Sequence, residues 1–186
     1  MALVTRSGAL IARSAQLDRV LNEYAGCIGR DAAAYRNHAY RVLNLCVALA
    51  SPDAEQLEKI GVAAACHDIG IWTDGTFDYL EPSVRVANSW LERIGRTSWS
   101  GDVAAMIREH HKITPYRGAA GPLVEAFRRA DWIDVSRGAL RYGVKRAFLR
   151  ELGERWPDEG FHLRLVQLTL RRWAGHPLSP LPMLKW

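Results

Sequence analysis

Several histidine and aspartate residues of this sequence lie where a helix should present apolar side chains to a core. His38, for example, is followed by Val42 and Leu45 at spacings of four and three residues, so its imidazole extends an apolar helical face. Three further segments repeat this pattern with an imidazole or a carboxylate on the apolar face. The residues concerned are His38, the pair His67-Asp68 in AACHDIGIW, the pair His110-His111, and Asp131.

Such a set of residues predicts a metal site. Burying carboxylates together with neutral imidazoles in one small core is costly unless a cation gathers them. Mixed imidazole and carboxylate donors suit Fe, Mn, Co, Ni or Zn, with Mg as a further option, whereas Ca²⁺ prefers oxygen donors only. The sequence lacks the closely spaced cysteines of a structural zinc site.

Helical periodicity dominates the whole chain, and no convincing strand pattern or hairpin signal interrupts it. The fold class is therefore predicted to be all-α, a compact bundle of several helices. We expect Ser51 to cap one helix, with Pro52 at its first position. The predicted helices are about 14–26, 37–50, 53–68, 82–95, 100–111, 122–134, 137–152 and 159–174.

Length and composition indicate an ordinary globular protein. The 186 residues, 48% hydrophobic and 24% charged, suit one domain over 1–186, with a core at about 35–140 and C-terminal helices and a Pro-rich tail at 141–186. The tail is expected to lie over the rest of the domain or against a partner subunit. A homodimer is therefore one of the expected states.

The three cysteines read as reduced packing residues, and no signal peptide or apolar run of ~20 residues is visible, which favours a cytoplasmic protein without a membrane partner. A formal net charge of +5 favours a small anionic substrate, because no motif of a nucleic-acid-binding module accompanies it.

The order of the predicted ligands resembles a known signature. His38, then His67-Asp68 within CHDIG, then Asp131 within RRADWID is similar to the H…HD…D pattern of the HD-domain superfamily of metal-dependent phosphohydrolases, over roughly residues 35–140. The resemblance implies that these four residues hold a divalent metal, and that Asp68 is the central catalytic residue.

A second metal is an open question within this resemblance. MIREHHKITPYRG is similar to the segment of dinuclear members in which histidines bind the second ion, which would assign His110 and His111 to it. Those members also carry a histidine in a pattern like H-P-x-x-x-A, where this chain has EPSVRVANSW. Glu81 is then the expected substitute ligand, and the chain is expected to bind one or two metals.

The substrate class cannot be carried over from the named branches of the superfamily. The cyclic-dinucleotide phosphodiesterases have a lysine after HDIG and a GYP loop, whereas this chain has Ile71-Trp72 and PYRG. The nucleotidases have a glutamate where Ile71 stands.

The residues around the motifs supply candidates for contacts with a phosphoryl group. Lys112 and Arg117 are expected to bind the phosphoryl oxygens and Trp72 to line the substrate pocket, while Arg36 is a weaker candidate. Asp74 or Glu109 could act as a general acid or base.

Three functions therefore stay open. The leading one is hydrolysis of a small phosphate ester or nucleotide by metal-activated water. Some relatives on this scaffold instead use di-iron to oxidise C–H bonds, and others hydrate a small nitrile. A non-catalytic, metal-binding sensor module is the third.

Overall fold

The computed structural model of the protein describes residues 10–177 and 181–185, which are built of helices. The described residues also contain two 3₁₀ turns, Gly29–Asp31 and Thr97–Trp99. In addition, Lys112 and Lys185 form an isolated parallel β-bridge. The all-α fold class is confirmed. The α-helices are α1 (Ala15–Glu23), α2 (Ala25–Ile28), α3 (Ala32–Ala50), α4 (Ala54–Cys66), α5 (Gly70–Thr73), α6 (Leu80–Arg93), α7 (Ser100–Glu109), α8 (Gly121–Val135), α9 (Arg146–Arg155) and α10 (Phe161–Gly175).

The boundary between α3 and α4 differs from the prediction that Ser51 caps the second of these helices. Ser51 does not cap α4: it adopts φ 49° and ends α3, so the next helix cannot start from it. Asp53 caps α4 instead, because its carboxylate accepts from the Gln56 backbone N–H while the Gln56 side chain accepts from the Asp53 N–H. This reciprocal pair satisfies two backbone donors that the first turn leaves open.

Two predicted helices have wrong bounds. The helix predicted at 37–50 begins earlier, at Ala32, directly after the first 3₁₀ turn. The helix predicted at 137–152 begins only at Arg146, because Arg137, Gly138, Tyr142 and Gly143 all adopt positive φ, which is incompatible with a right-handed helix. Residues 1–9, 178–180 and 186, which belong to the predicted N-terminal and tail segments, lie outside the described residues.

The core forms around α3, which packs most extensively against α8 and also against α4. Helix α1 packs against α4, and α6 packs against α7. The contact between α5 and α6 is very close: a Cβ on Gly70 would lie 2.6 Å from the Tyr79 carbonyl oxygen and 2.7 Å from Pro82 Cβ. Glycine at position 70 therefore lets Tyr79 and the start of α6 approach α5, which follows the His67-Asp68 pair.

Among residues 10–177 and 181–185, none of the helices combines the length and the apolar composition that crossing a membrane requires.

Candidate metal centre

Four parts of the fold bring the predicted ligands together. His38 lies in the middle of α3, and His67-Asp68 follows directly after the last residue of α4, Cys66. The pair His110-His111 follows the end of α7 at Glu109 in the same way, while Asp131 lies within α8. The two pairs thus lie at the ends of helices, and the packing of α3 on α8 brings His38 and Asp131 beside them.

The first group of side chains surrounds the imidazole nitrogens of His38 and His67. The two Nε2 atoms lie 2.9 Å apart. An oxygen of Asp68 lies 3.6 Å from His38 Nε2 and 3.4 Å from His67 Nε2. Asp131 Oδ1 lies 3.6 Å and 3.8 Å from the same two nitrogens. His38, His67 and Asp68 form a buried group that could hold a metal ion.

A second group shares Asp68 with the first. The other oxygen of Asp68, Oδ1, lies 3.4 Å from His110 Nε2, and His111 Nδ1 lies 3.5 Å from Asp131 Oδ2. Asp68, His110 and His111 form another group whose donor atoms are close enough to hold a metal ion. The two groups share Asp68 and contain five side chains, and Asp131, which lies beside both, brings the cluster to six histidine and aspartate side chains.

Each histidine of the cluster is held by its outward nitrogen. His38 Nδ1 donates to Asp134 Oδ2 at 2.7 Å, His67 Nδ1 donates to the Ala64 carbonyl at 2.9 Å, and His110 Nδ1 donates to the Ile107 carbonyl at 2.6 Å. His111 Nε2 lies 2.6 Å from the Tyr79 hydroxyl. Metal-bound histidines in proteins are oriented by such a hydrogen bond on the nitrogen that does not face the metal.

These hydrogen bonds decide which atoms face inward. Because their Nδ1 atoms donate protons to oxygen acceptors, the Nε2 atoms of His38 and His67 are the nitrogens that face each other and are free to bind a cation. His110 Nε2 likewise faces a carboxylate oxygen of Asp68, at 3.4 Å. Buried nitrogen and carboxylate donors that face one another in this way are costly unless a cation lies between them.

Unpaired buried atoms test whether a metal fits. His110 Nε2, Asp68 Oδ1 and both carboxylate oxygens of Asp131 are buried and have no hydrogen-bond partner among the described residues. Leaving such groups unpaired is costly, and one shared proton cannot satisfy all four atoms. The residues present therefore fit a divalent metal.

The pKa values of several residues in the cluster are shifted by burial. Burial lowers the pKa of His67 to about 3 and holds the pKa of His111 well below its usual value, so both imidazoles are neutral near pH 7. Burial raises the pKa of Asp131 to about 6, since its carboxylate lacks the partners that would stabilise its charge. Neutral His67 and His111 are thus in the donor form that metal binding requires, whereas the pKa of His110 is raised, because the effect of its burial is outweighed by the nearby carboxylates of Asp68 and Asp131.

Comparison with protein-family models shows which family has this arrangement. The model of the HD domain matches residues 35–136, which include every residue of the cluster. The chain belongs to the HD domain family. The resemblance to the HD superfamily seen in the sequence is thus confirmed, and the members of this superfamily are in general metal-dependent phosphohydrolases. No curated protein and no solved structure matched the chain significantly.

Glu81 is not brought into the cluster of this HD domain. Its carboxylate accepts two hydrogen bonds from the Arg108 guanidinium, at 2.7 and 2.8 Å, and its side chain is 60% exposed. The side chain that reaches the cluster from this region is Tyr79, two residues earlier, which contacts His111 rather than completing the ligand set.

The expected substrate-binding residues differ in how they are connected to the histidine and aspartate cluster. Lys112 follows His111 directly, and its carbonyl accepts from Arg128 and from the Trp132 indole. Arg117 is exposed on the loop that follows. Trp72 packs against the Tyr35 ring at 4.7 Å, and the Tyr35 hydroxyl in turn accepts from the Asp68 backbone N–H. Tyr35 thus connects Trp72 to the backbone of Asp68.

The weaker sequence candidates have partners elsewhere. Arg36 donates to Asp18 and Asn22, and Arg85 donates to Asp74. The Glu109 carboxylate lies 3.8 Å from the Lys185 ammonium. The described structure brings none of the three side chains into the donor cluster.

Sequence reasoning missed the pair that supports His38. Asp134 accepts from His38 and, through both oxygens, from the buried Arg41 guanidinium at 2.6 and 2.9 Å. The signal was helical spacing: Asp134 lies three residues after Asp131 on α8, and Arg41 lies three residues after His38 on α3. Each supporting residue thus shares a helix face with a candidate ligand.

Proposed function

We propose that this HD domain is a metal-dependent phosphohydrolase that acts on a small phosphate ester or nucleotide through a metal-activated water. The observation that carries the proposal is the convergence of buried, unpaired donor atoms from Asp68, His110 and Asp131 on the His38–His67 pair. The donor set of imidazoles and carboxylates favours Fe, Mn, Co, Ni or Zn, with Mg as a further option. Family membership supports the reaction class.

The proposed roles follow from which atoms face inward. His38, His67, Asp68 and Asp131 would hold one metal, and Asp68, His110 and His111 a second, with one Asp68 oxygen directed at each group. A bound divalent metal supplies hydroxide at neutral pH by lowering the pKa of its water towards ~7, and it polarises phosphoryl oxygens. Asp68 is central because its side chain belongs to both groups.

The protein side of substrate binding is proposed for the segment after His111. Lys112 and Arg117 would place positive charge beside the phosphoryl oxygens of an anionic substrate. This segment is anchored from α8, because Glu125 accepts from the Tyr116 backbone N–H at 2.7 Å and Arg128 donates to the Lys112 carbonyl at 2.9 Å. Trp72 would act at a distance, through Tyr35. The cytoplasmic location and a homodimer stay predictions from the sequence.

The test combines metal content with activity. We expect the purified protein to contain one or two divalent metals per chain by elemental analysis and to hydrolyse members of a panel of phosphate esters and nucleotides. The Asp68→Ala variant should lose both properties, because both donor groups lose their shared carboxylate. Asp102→Ala, which removes a surface carboxylate paired with Lys59, is the matched control and should keep both. Wild-type metal content in Asp68→Ala would refute the assignment of the site.

A second candidate function is oxidation of a C–H bond with oxygen. It is favoured by the six histidine and aspartate side chains that converge without Glu81, since such a set matches the expectation for a di-iron centre. Oxygen uptake by the iron-loaded protein in the presence of a substrate, without phosphate release, would support this function over hydrolysis. A metal-loaded protein inactive in both assays would support a sensor module.

A further inference from the structure

The C-terminal segment 181–185 lies along the chain beside the His110-His111 pair. The Lys185 carbonyl accepts a hydrogen bond of 2.7 Å from the Ile113 N–H, and Lys185 forms a parallel main-chain bridge with Lys112. The Lys185 ammonium also lies 3.8 Å from the Glu109 carboxylate. The segment therefore contacts the residues directly before and after the histidine pair.

Met183 connects this segment to the cluster from a second side. Its side chain is only 3% exposed and packs in a small apolar cluster with Ile71, Phe77, Tyr79 and Leu80. Tyr79 is 1% exposed, and its hydroxyl lies 2.6 Å from His111 Nε2. The apolar cluster that holds Met183 thus also holds Tyr79, which contacts a candidate ligand.

His111 depends on this support more than the other histidines do. His67 and His110 are anchored by carbonyls of the helices that precede them, and His38 by Asp134, which Arg41 holds through both oxygens. In residues 10–177 and 181–185, the hydrogen bond on His111 Nε2 comes from the hydroxyl of Tyr79, just before α6, and Tyr79 belongs to the same apolar cluster as Met183. For Nδ1 to donate its lone pair to a metal, Nε2 must carry the proton and donate it to the Tyr79 oxygen.

We propose that Met183 is a positioning residue of the metal centre: by packing against Tyr79 it keeps the phenol oxygen on His111 Nε2 and so keeps His111 Nδ1 directed at the donors of the second group. Segment 181–185 is then part of the centre, although it supplies no ligand. The inference rests on the proposed function only in requiring that the cluster binds metal.

The experiment is a Co²⁺ titration of the full metal-free chain, followed by calorimetry and by visible absorption, which reports the geometry around the ion. Met183→Ala should lower the Co²⁺ affinity by about tenfold and change the absorption bands of the bound ion. Where the wild type binds two ions, this change is expected for the ion that binds more weakly. Tyr79→Phe removes the hydroxyl and keeps the ring, and should lower the same affinity by about 10–100-fold. Met183→Leu should restore the wild-type affinity and bands.

Leu181→Ala is the matched control, because Leu181 lies in the same segment but is 37% exposed, and it should leave the titration unchanged. Unchanged affinity and bands in both Met183→Ala and Tyr79→Phe would overturn the inference. An effect of Leu181→Ala equal to that of Met183→Ala would also overturn it, since the effect would then be general to the segment. Phosphate release plays no part in these readouts, so failure of the hydrolase assignment would leave the result intact.

Discussion

At the scale of single residues, helical faces predicted the members of the histidine and aspartate cluster but not the residues that support them. His38, His67 and Asp131 could be found because a polar side chain on an apolar stripe is a conspicuous exception. Asp134 could not be found in this way, since a carboxylate in the last turn of α8 looks like a solvated residue until α3 brings Arg41 and His38 against it. Glu81 shows the opposite failure, because pattern alone could not reveal that Arg108 occupies its carboxylate.

The Asp134 carboxylate gives a prediction at this scale. Asp134→Asn should lower metal affinity by about 10–100-fold, because the amide can turn only one oxygen to the His38 N–H and the Arg41 guanidinium, both of which need an acceptor. Isothermal titration with Zn²⁺ or Co²⁺ measures the effect. Asp102→Asn, which changes a surface aspartate without contact to the cluster, should behave like the wild type. Equal affinity in both variants would show that His38 is oriented without Asp134.

At the scale of elements, most helices could be predicted because their apolar periodicity continues over several turns. The segment 137–145 could not, because the positive φ of Arg137 and Tyr142 is imposed by tertiary structure on residues that do not favour it. The short helix α5 escaped prediction for a related reason: four residues are too few to show a period. Its role became visible only from its contact with α6.

The contact between α5 and α6 gives the prediction for this scale. Gly70→Ala should lower the free energy of unfolding by about 1–3 kcal/mol, because the new methyl would press on the Tyr79 carbonyl and Pro82. Urea denaturation measures this, and Co²⁺ affinity should fall as Tyr79 is displaced from His111. Gly101→Ala is the matched control: nothing lies within 4 Å of its new Cβ, so it should be neutral or stabilise by up to about 1 kcal/mol. Similar unfolding curves for the two variants would mean that α6 can shift without cost.

At the scale of the whole molecule, the candidate metal centre connects segments that are far apart in the sequence. The inward-facing donors come from α3, from the ends of α4 and α7, and from α8, and α3 and α8 form the most extensive helix contact of the described fold. Without a cation, this junction holds unpaired carboxylate oxygens of Asp68 and Asp131 in its interior. The centre is therefore expected to contribute to the stability of the fold as well as to chemistry.

Metal removal should consequently destabilise the whole chain rather than one loop. At a free metal concentration of 100 times Kd, binding to the folded state alone adds about 2.7 kcal/mol, which corresponds to roughly 5–10 °C in Tm for a protein of this size. A melting curve followed by circular dichroism, recorded before and after chelation and again after metal is returned, measures the shift. Asp68→Ala should melt at one temperature under all three conditions, because it has lost the carboxylate that both donor groups share. If chelation removed the metal from the wild type without lowering its Tm, the ion would not be linking the four segments, and the unpaired oxygens of Asp68 and Asp131 would have to be satisfied by water instead.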